Sequence, residues 1–224
     1  VRTVELGCQS MDDTVLLASG RGHTSNDIQY ACRKVKEYGL SLIIQLMFGL
    51  PGDTDETARK SCITAVRLNP DGIRMYPTVV IKDTELYSMT LRGEYTPMSV
   101  EKAVDLCSDL FGIFAEARIP VIRLGLNPSD DLSGGLAVGG AYHPSLGELT
   151  RSRFFYKKIC SMLQNIETAG KHLTIGVNPS RLSIMAGQHR RNIIDLKKEF
   201  HFRKVTILPC PLSEDEIQIL SLQD

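Results

Sequence analysis

The chain has 224 residues, 42% hydrophobic and 23% charged, which suits a soluble globular protein of one large or two small domains. Lys plus Arg and Asp plus Glu both total 26, so the formal net charge is 0 and whole-chain charge points to no polyanion partner. No run approaches 18 apolar residues and no secretory signal pattern is present, so no membrane partner is expected. Val1 in place of Met is expected to be a processing boundary within a longer gene product.

The opening run "RTVELGC" predicts a strand, followed by a short helical turn over "MDDTVLLASG" that Gly20 ends. Thr24 or Ser25 caps a helix in which Ile28, Ala31, Cys32, Val35 and Tyr38 fall at helical spacing. "LSLIIQLMFG" is nearly continuous in apolar residues, the pattern of a strand buried on both faces. "GLPGDTDE" is a turn, and Asp53 with Glu56 has capping-box spacing for a helix over about 54–68. "DGIRMYPTVVI" is a third strand, interrupted by Pro77.

Ser99 caps a long helix with the stripe Ala103, Leu106, Cys107, Leu110, Phe111, Phe114 and Ala117, and "IPVIRLGL" is a fourth strand. This β-α-β-α-β-α-β order predicts a parallel sheet with crossover helices, open or barrel-like, with too few units to close an eight-stranded barrel.

Composition changes near residue 126. "NPSDDLSGGLAVGGAYHP" predicts a loop, and a helix over about 144–168 carries Leu149, Phe155, Ile159, Met162 and Ile166. Residues 171–224 predict a small α/β unit. Its elements are the strand "HLTIGV", Asn178 capping with Pro179 at the first helical position, the helix "HRRNIIDLKKEF", the strand "RKVTILP" and a final short helix. The expected domains are thus 1–126, a 127–168 extension, and a basic 169–224 unit.

The six cysteines (Cys8, Cys32, Cys62, Cys107, Cys160, Cys210) are all more than four residues apart, which excludes CxxC redox and zinc-knuckle spacing. A reducing, cytoplasmic setting without a disulfide framework is expected.

Parallel α/β sheets bind ligands at the carboxyl ends of their strands. The first strand ends at Cys8, Gln9 and Ser10; the second holds Gln45 in an apolar run; the third ends at Tyr76, Pro77 and Thr78. A buried amide without a partner costs about 1–3 kcal/mol, so Gln45 needs a partner, from a neighbouring strand, a water or a ligand. Arg21 and His23 precede a capped helix, where an Arg suits a carboxylate or phosphate and a solvated loop is the plainer alternative. "GLPGDT" lacks the Lys of a P-loop, "GGLAVGG" follows no strand and is expected to be mobile, and His143 fits a cap or packing role.

The stretches "ELGCQSMDDTVLLASGRGHT", "LIIQLMFGLPGDTDET" and "IRMYPTVVIKDTEL" resemble the second half of a radical S-adenosylmethionine core. The likeness is nearest to the Elongator catalytic subunit 3 family and looser to oxygen-independent coproporphyrinogen oxidases. "GGAYHPSLGELTRSRFFY" resembles the extension that follows the core, so the likeness covers about residues 3–157.

It implies a partial (βα) barrel followed by a small α/β extension, in an Fe–S oxidoreductase. There a CxxxCxxC-held [4Fe–4S] cluster reductively cleaves S-adenosylmethionine to a 5′-deoxyadenosyl radical. By this resemblance the chain begins near the fourth barrel strand. The N-terminal half of the barrel and the cluster cysteines lie outside it, so neither cofactor is expected on this chain alone, which is expected to be inactive.

Carried over by position, Gln9 matches the ribose contact and Arg21 the residue that holds the methionyl carboxylate, in keeping with bidentate recognition. Gln45 stands where coproporphyrinogen oxidases carry a ribose-binding Asp, and Tyr76, Pro77 and Thr78 match the strand end against adenine.

Elongator subunit 3 continues into an acetyltransferase domain, which the last 50 or so residues do not resemble, so tRNA wobble-uridine chemistry does not transfer directly. The substrate is expected to be tRNA or a small molecule.

A second reading is a non-catalytic nucleic-acid-binding or degenerate module. Lys171, Arg181, Arg190, Arg191, Lys197, Lys198, Arg203 and Lys204 face only Asp195 and Glu199 within residues 168–208. Such a patch binds phosphates, though a solvated helix face is the commoner outcome. Half a barrel also exposes an apolar edge, so self-association through it is expected.

Overall fold

In the computed structural model, residues 2–128 and 132–224 are described. Four apolar runs form the strands expected of them: β1 (Thr3–Gln9), β2 (Ser41–Phe48), β3 (Gly72–Pro77) and, after the short β4 (Val79–Ile81), β5 (Val121–Leu124). They make one four-stranded sheet of order β1-β2-β3-β5, parallel throughout.

The connections hold α1 (Asp13–Ala18), α2 (Ser25–Glu37), α3 (Asp55–Arg67), α4 (Glu85–Leu91) and α5 (Val100–Glu116). Each strand lies beside its predecessor, so right-handed crossovers send α2, α3 and α5 to the same face. Burial follows. On β2, Leu42, Ile44, Leu46 and Phe48 are fully buried, while Ile43, Gln45 and Met47 on the opposite face are only half-buried. The expectation of a strand buried on both faces is corrected accordingly: a singly wound sheet has helices for one face only.

Thr24 caps α2 through a reciprocal capping box with Asp27. The cap of α3 is one residue later than the Asp53–Glu56 spacing implied, because Thr54 and Thr57 form the box. That frees the Asp53 carboxylate to accept from Gly49 N (2.9 Å) and the Thr57 hydroxyl (2.5 Å), bracing the turn after β2. Ser99 caps α5, whose stripe is buried from Ala103 to Phe114, whereas Ala117 is its exposed C-cap. The α4 helix escaped prediction because none of its residues is buried and no apolar stripe marks it.

Part of the stretch expected to be a mobile loop is ordered. β6 (Ala137–Gly140) pairs antiparallel with β4. Gly140 has φ +87°, and a Cβ there would stand 2.6 Å from the Thr78 carbonyl, so only glycine admits this approach. Ser129, Asp130 and Asp131 of that expected loop lie outside the described residues.

The chain divides into two units, 1–147 and 148–224, so the expected 127–168 extension is shared between them. α6 (Leu146–Leu163) is shorter than expected. Phe155 and Ile159 are buried, but Met162 and Ile166 are exposed and Leu163 takes the core position instead.

In the second unit β7 (His172–Val177) is central, parallel to β8 (Lys204–Pro209) on one side and antiparallel to β9 (Ile217–Gln223) on the other. α7 (Leu182–Ala186) and α8 (Arg191–Glu199) connect β7 to β8. The final element is therefore the strand β9, not a helix. Ile217 and Ile219 alternate with exposed Gln218 and Leu220, a period of two that the preceding acidic run obscures.

Candidate functional site

The carboxyl ends of β1, β2 and β3 bring five of the six singled-out residues into one row. Register pairs Gly7 with Gln45 and Arg74, Gln9 with Leu46, Met47 with Tyr76, and Phe48 with Pro77. Gln9 and Gln45 thus sit on adjacent strands, with Tyr76 to Thr78 one strand further. Arg21 lies outside this row, on the exposed turn between α1 and α2, where its backbone N–H donates to Leu16 O.

Gln9 is the most constrained of these. A register shift between Gly7 and Gln9 ends the strand, and Gln9 takes φ 59° in the left-handed region. Its side chain folds back over Gly7, where a Cβ would lie 2.6 Å from Gln9 Nε2. Only 5% of Gln9 is exposed, and its Oε1 has no hydrogen-bond partner. A buried, unpaired acceptor in a strained backbone conformation is the kind of feature found at ligand sites.

Gln45 differs from expectation. It is half-buried on the uncovered face, so solvent can satisfy it and no protein partner is required. Next to it, Arg74 pairs with Glu5 (3.1 Å) and approaches the Tyr76 hydroxyl (3.4 Å), placing a charged and polar strip along the same face.

At the third strand end, Thr78 is buried. Its N–H (2.8 Å) and hydroxyl (2.9 Å) both donate to Phe48 O, while its carbonyl accepts from Ala141 N. Pro77 is buried as well and has no N–H, so the Pro77–Thr78 segment offers no free donor.

Ser61 carries a role the sequence did not signal. From α3 its hydroxyl lies 3.2 Å from Ser10 Oγ and accepts from Met11 N, fastening the turn that follows Gln9. A serine on a helix face gives no pattern from which this could be read.

His143 does act locally, its Nδ1 accepting from Ser145 N before α6. The cysteines behave as hydrophobes. All six are free, and burial pushes the Cys107 thiol up to about 12 and the Cys62 thiol well above its ordinary value. Among the described residues no group of three or more His, Cys, Asp or Glu is placed to hold a metal. The side chains present do not fit an iron–sulfur cluster, and no step through one is assigned to them.

The eight cations singled out in the sequence, from Lys171 to Lys204, are spread and partly spent. Arg181 pairs with Glu214 and Arg191 with Asp195 (2.7 Å), inside the unit itself.

Residues 70–155 match the Radical_SAM C-terminal domain. Curated relatives include the tRNA uridine(34) acetyltransferase of Methanocaldococcus infernus, 34% identical over 149 residues, covering 65% of this chain and 27% of that protein. The human Elongator complex protein 3 is 27% identical over 153 residues, covering 67% of this chain and 27% of its own length. Among solved structures, the M. infernus Elp3 with an N-terminal deletion superposes with a TM-score of 0.58 at 31% identity, over 72% of this chain and 36% of that one.

The chain is Elongator subunit 3-like. Its resemblance to that radical S-adenosylmethionine family, first drawn from the strand-end motifs, is shown. This Elongator subunit 3-like chain spans about a quarter of the length of the curated relatives named. No helix among the described residues is long and apolar enough to cross a membrane.

Proposed function

We propose that residues 3–126 form one wall of a radical S-adenosylmethionine partial barrel, and that the uncovered sheet face lines its lumen. The observation that carries this reading is Gln9: a 95% buried, unpartnered amide oxygen at the end of the first strand of a singly wound sheet.

Gln9 Oε1 would accept from a ribose hydroxyl, Arg21 would hold the methionyl carboxylate, and Gln45 would offer a second amide to the sugar. Tyr76, Pro77 and Thr78 would supply the surface for adenine. When bound with a [4Fe–4S] cluster, S-adenosylmethionine supplies a 5′-deoxyadenosyl radical. The residues here bind, orient and shield it, and the cluster ligands belong to the other half of the barrel, the expected partner of this wall. Support for the reading comes from the matched domain, the Elp3 structural likeness and the one-sided burial of β2.

The substrate class follows the relatives named for tRNA uridine(34) only as a proposal, with a small molecule as the other option. Calorimetric titration of S-adenosylmethionine into the chain joined to its cluster-bearing half tests the site. Binding that Gln9→Ala and Arg21→Ala each abolish is expected. Binding unaffected by either, or no binding to a folded chain joined to its cluster-bearing half, refutes it.

The alternative, a nucleic-acid-binding module, rests on the basic second unit. A tRNA affinity falling steeply with salt, and weakened by Lys197→Glu with Lys198→Glu, would favour it.

A further inference from the structure

The second unit holds an open groove of about 500 Å³ that lies outside the proposed lumen. Leu182, Ile193, Val205 and Ile207 give it an apolar lining, and Arg190 and Lys204 stand at it as cations.

Its position on the strand is informative. Lys204, Val205, Thr206 and Ile207 all line it, and they are consecutive in β8. Side chains of successive strand residues point to opposite faces, so a cavity touching all four runs along the strand's edge rather than over one face. That edge is free within the unit: the sheet order is β8-β7-β9, with β7 on the other side of β8. Cys210 N donates to Val177 O on the β7 side. By alternation Thr206 and Leu208 also face β7, and Val205 and Ile207 direct their N–H and C=O groups outward, into the groove.

We infer that this groove receives an extended acidic peptide segment of a partner protein, which adds as a strand to the free edge of β8. An unpaired edge supplies main-chain hydrogen bonds, and adjoining apolar pockets take alternate side chains. The choice of an acidic occupant rests on charge. Arg190 and Lys204 have no carboxylate partner among the described residues, whereas the nearby Arg181 and Arg191 each have one. A second copy of β8 would bring its own Arg190 and Lys204 against these and is disfavoured. RNA is disfavoured because the lining offers apolar aliphatics and no aromatic ring for base stacking.

The test uses the full chain and three fluorescein-labelled probes in anisotropy titrations. These are an eight-residue peptide alternating Val or Ile with Glu, the same peptide N-methylated on alternate backbone nitrogens, and a single-stranded RNA 20-mer.

The acidic peptide is expected to bind, the N-methylated one to lose at least about tenfold because it cannot complete the strand ladder, and the RNA not to compete. Arg190→Glu with Lys204→Glu is expected to weaken the acidic peptide about tenfold. The N-methyl comparison leaves the protein unaltered, so it stands even if the double variant misfolds. Equal binding of both peptides, displacement by the RNA, or no binding of the acidic peptide would overturn the inference.

Discussion

The Tyr95 hydroxyl donates to the Gly49 carbonyl at 2.5 Å, across 46 residues of sequence. Tyr95 is 9% exposed, and Gly49, at φ +78°, also donates its N–H to Asp53. The turn after β2 is thus held from both sides. Tyr95→Phe should lower stability by about 1 kcal/mol, the usual net worth of one such bond, seen as a lower urea midpoint at unchanged slope. Gly49→Ala should cost more. Its Cβ would meet Met98 Cε at 2.8 Å, and alanine resists that φ.

Gln9 trades stability for its position. Replacing it by Gly relieves a left-handed conformation worth roughly 1–2 kcal/mol and removes an unpaired buried oxygen. The variant should unfold at higher urea while losing S-adenosylmethionine binding. A variant destabilised as much as an ordinary core deletion would show that the side chain serves packing alone.

Asp71 links the start of β2 to α2, accepting from Leu42 N and Lys36 Nζ, each at 2.7 Å. The hydrogen bond from Lys36 and then that from Leu42 N–H hold its carboxyl below the ordinary Asp range. A depressed native pKa contributes stability above the unfolded value and loses it as pH falls through the native one. Wild type should therefore exceed Asp71→Asn in urea midpoint at neutral pH, with the gap closing in acid. A gap independent of pH would contradict the assignment.

Burial is the largest influence on Asp53 and raises its carboxyl above the ordinary range, against the opposing bonds from Thr57, Gly49 and Thr54. Its contribution runs the other way, fully present below the unfolded pKa and lost as pH rises through the raised native one. The wild-type chain should show a decline in midpoint just above the usual Asp titration, absent from a Thr57→Ser, Asp53→Ser double variant.

Gly140→Ala should cost roughly 1–3 kcal/mol and disrupt the β4–β6 pair, since its Cβ meets backbone atoms of Thr78 and Val79. Gly134→Ala, with no atom within 4 Å, should be nearly neutral. Equal effects in parallel thermal melts would sink this account.

The four parallel strands were legible because their apolar runs are flanked by caps such as Thr24 and Ser99 that obey local rules. Gln9 was legible as a strand-end polar residue. Its left-handed backbone was not, because that follows from a bulge set by the neighbouring strand. Gln45 looked buried because its neighbours are apolar; whether helices cover one face or two is decided by strand order, which no local pattern records. The strand β9 was hidden for a related reason. Its pairing with β7 spans at least 40 residues, beyond the reach of any local pattern.

Strand order in the second unit also bears on its synthesis. β7 is the middle strand, yet both of its neighbours, β8 and β9, follow it in the chain. As the polypeptide emerges from the ribosome, His172–Val177 must wait with both edges open until β8 is complete at Pro209, and with one edge open until residue 223 is available. Leu173, Ile175 and Val177, all fully buried in the end, stay exposed meanwhile. Translation rate and chaperone supply should therefore affect the yield of this unit more than that of the first, where both inner strands of the four-stranded sheet, β2 and β3, emerge next to a strand already made.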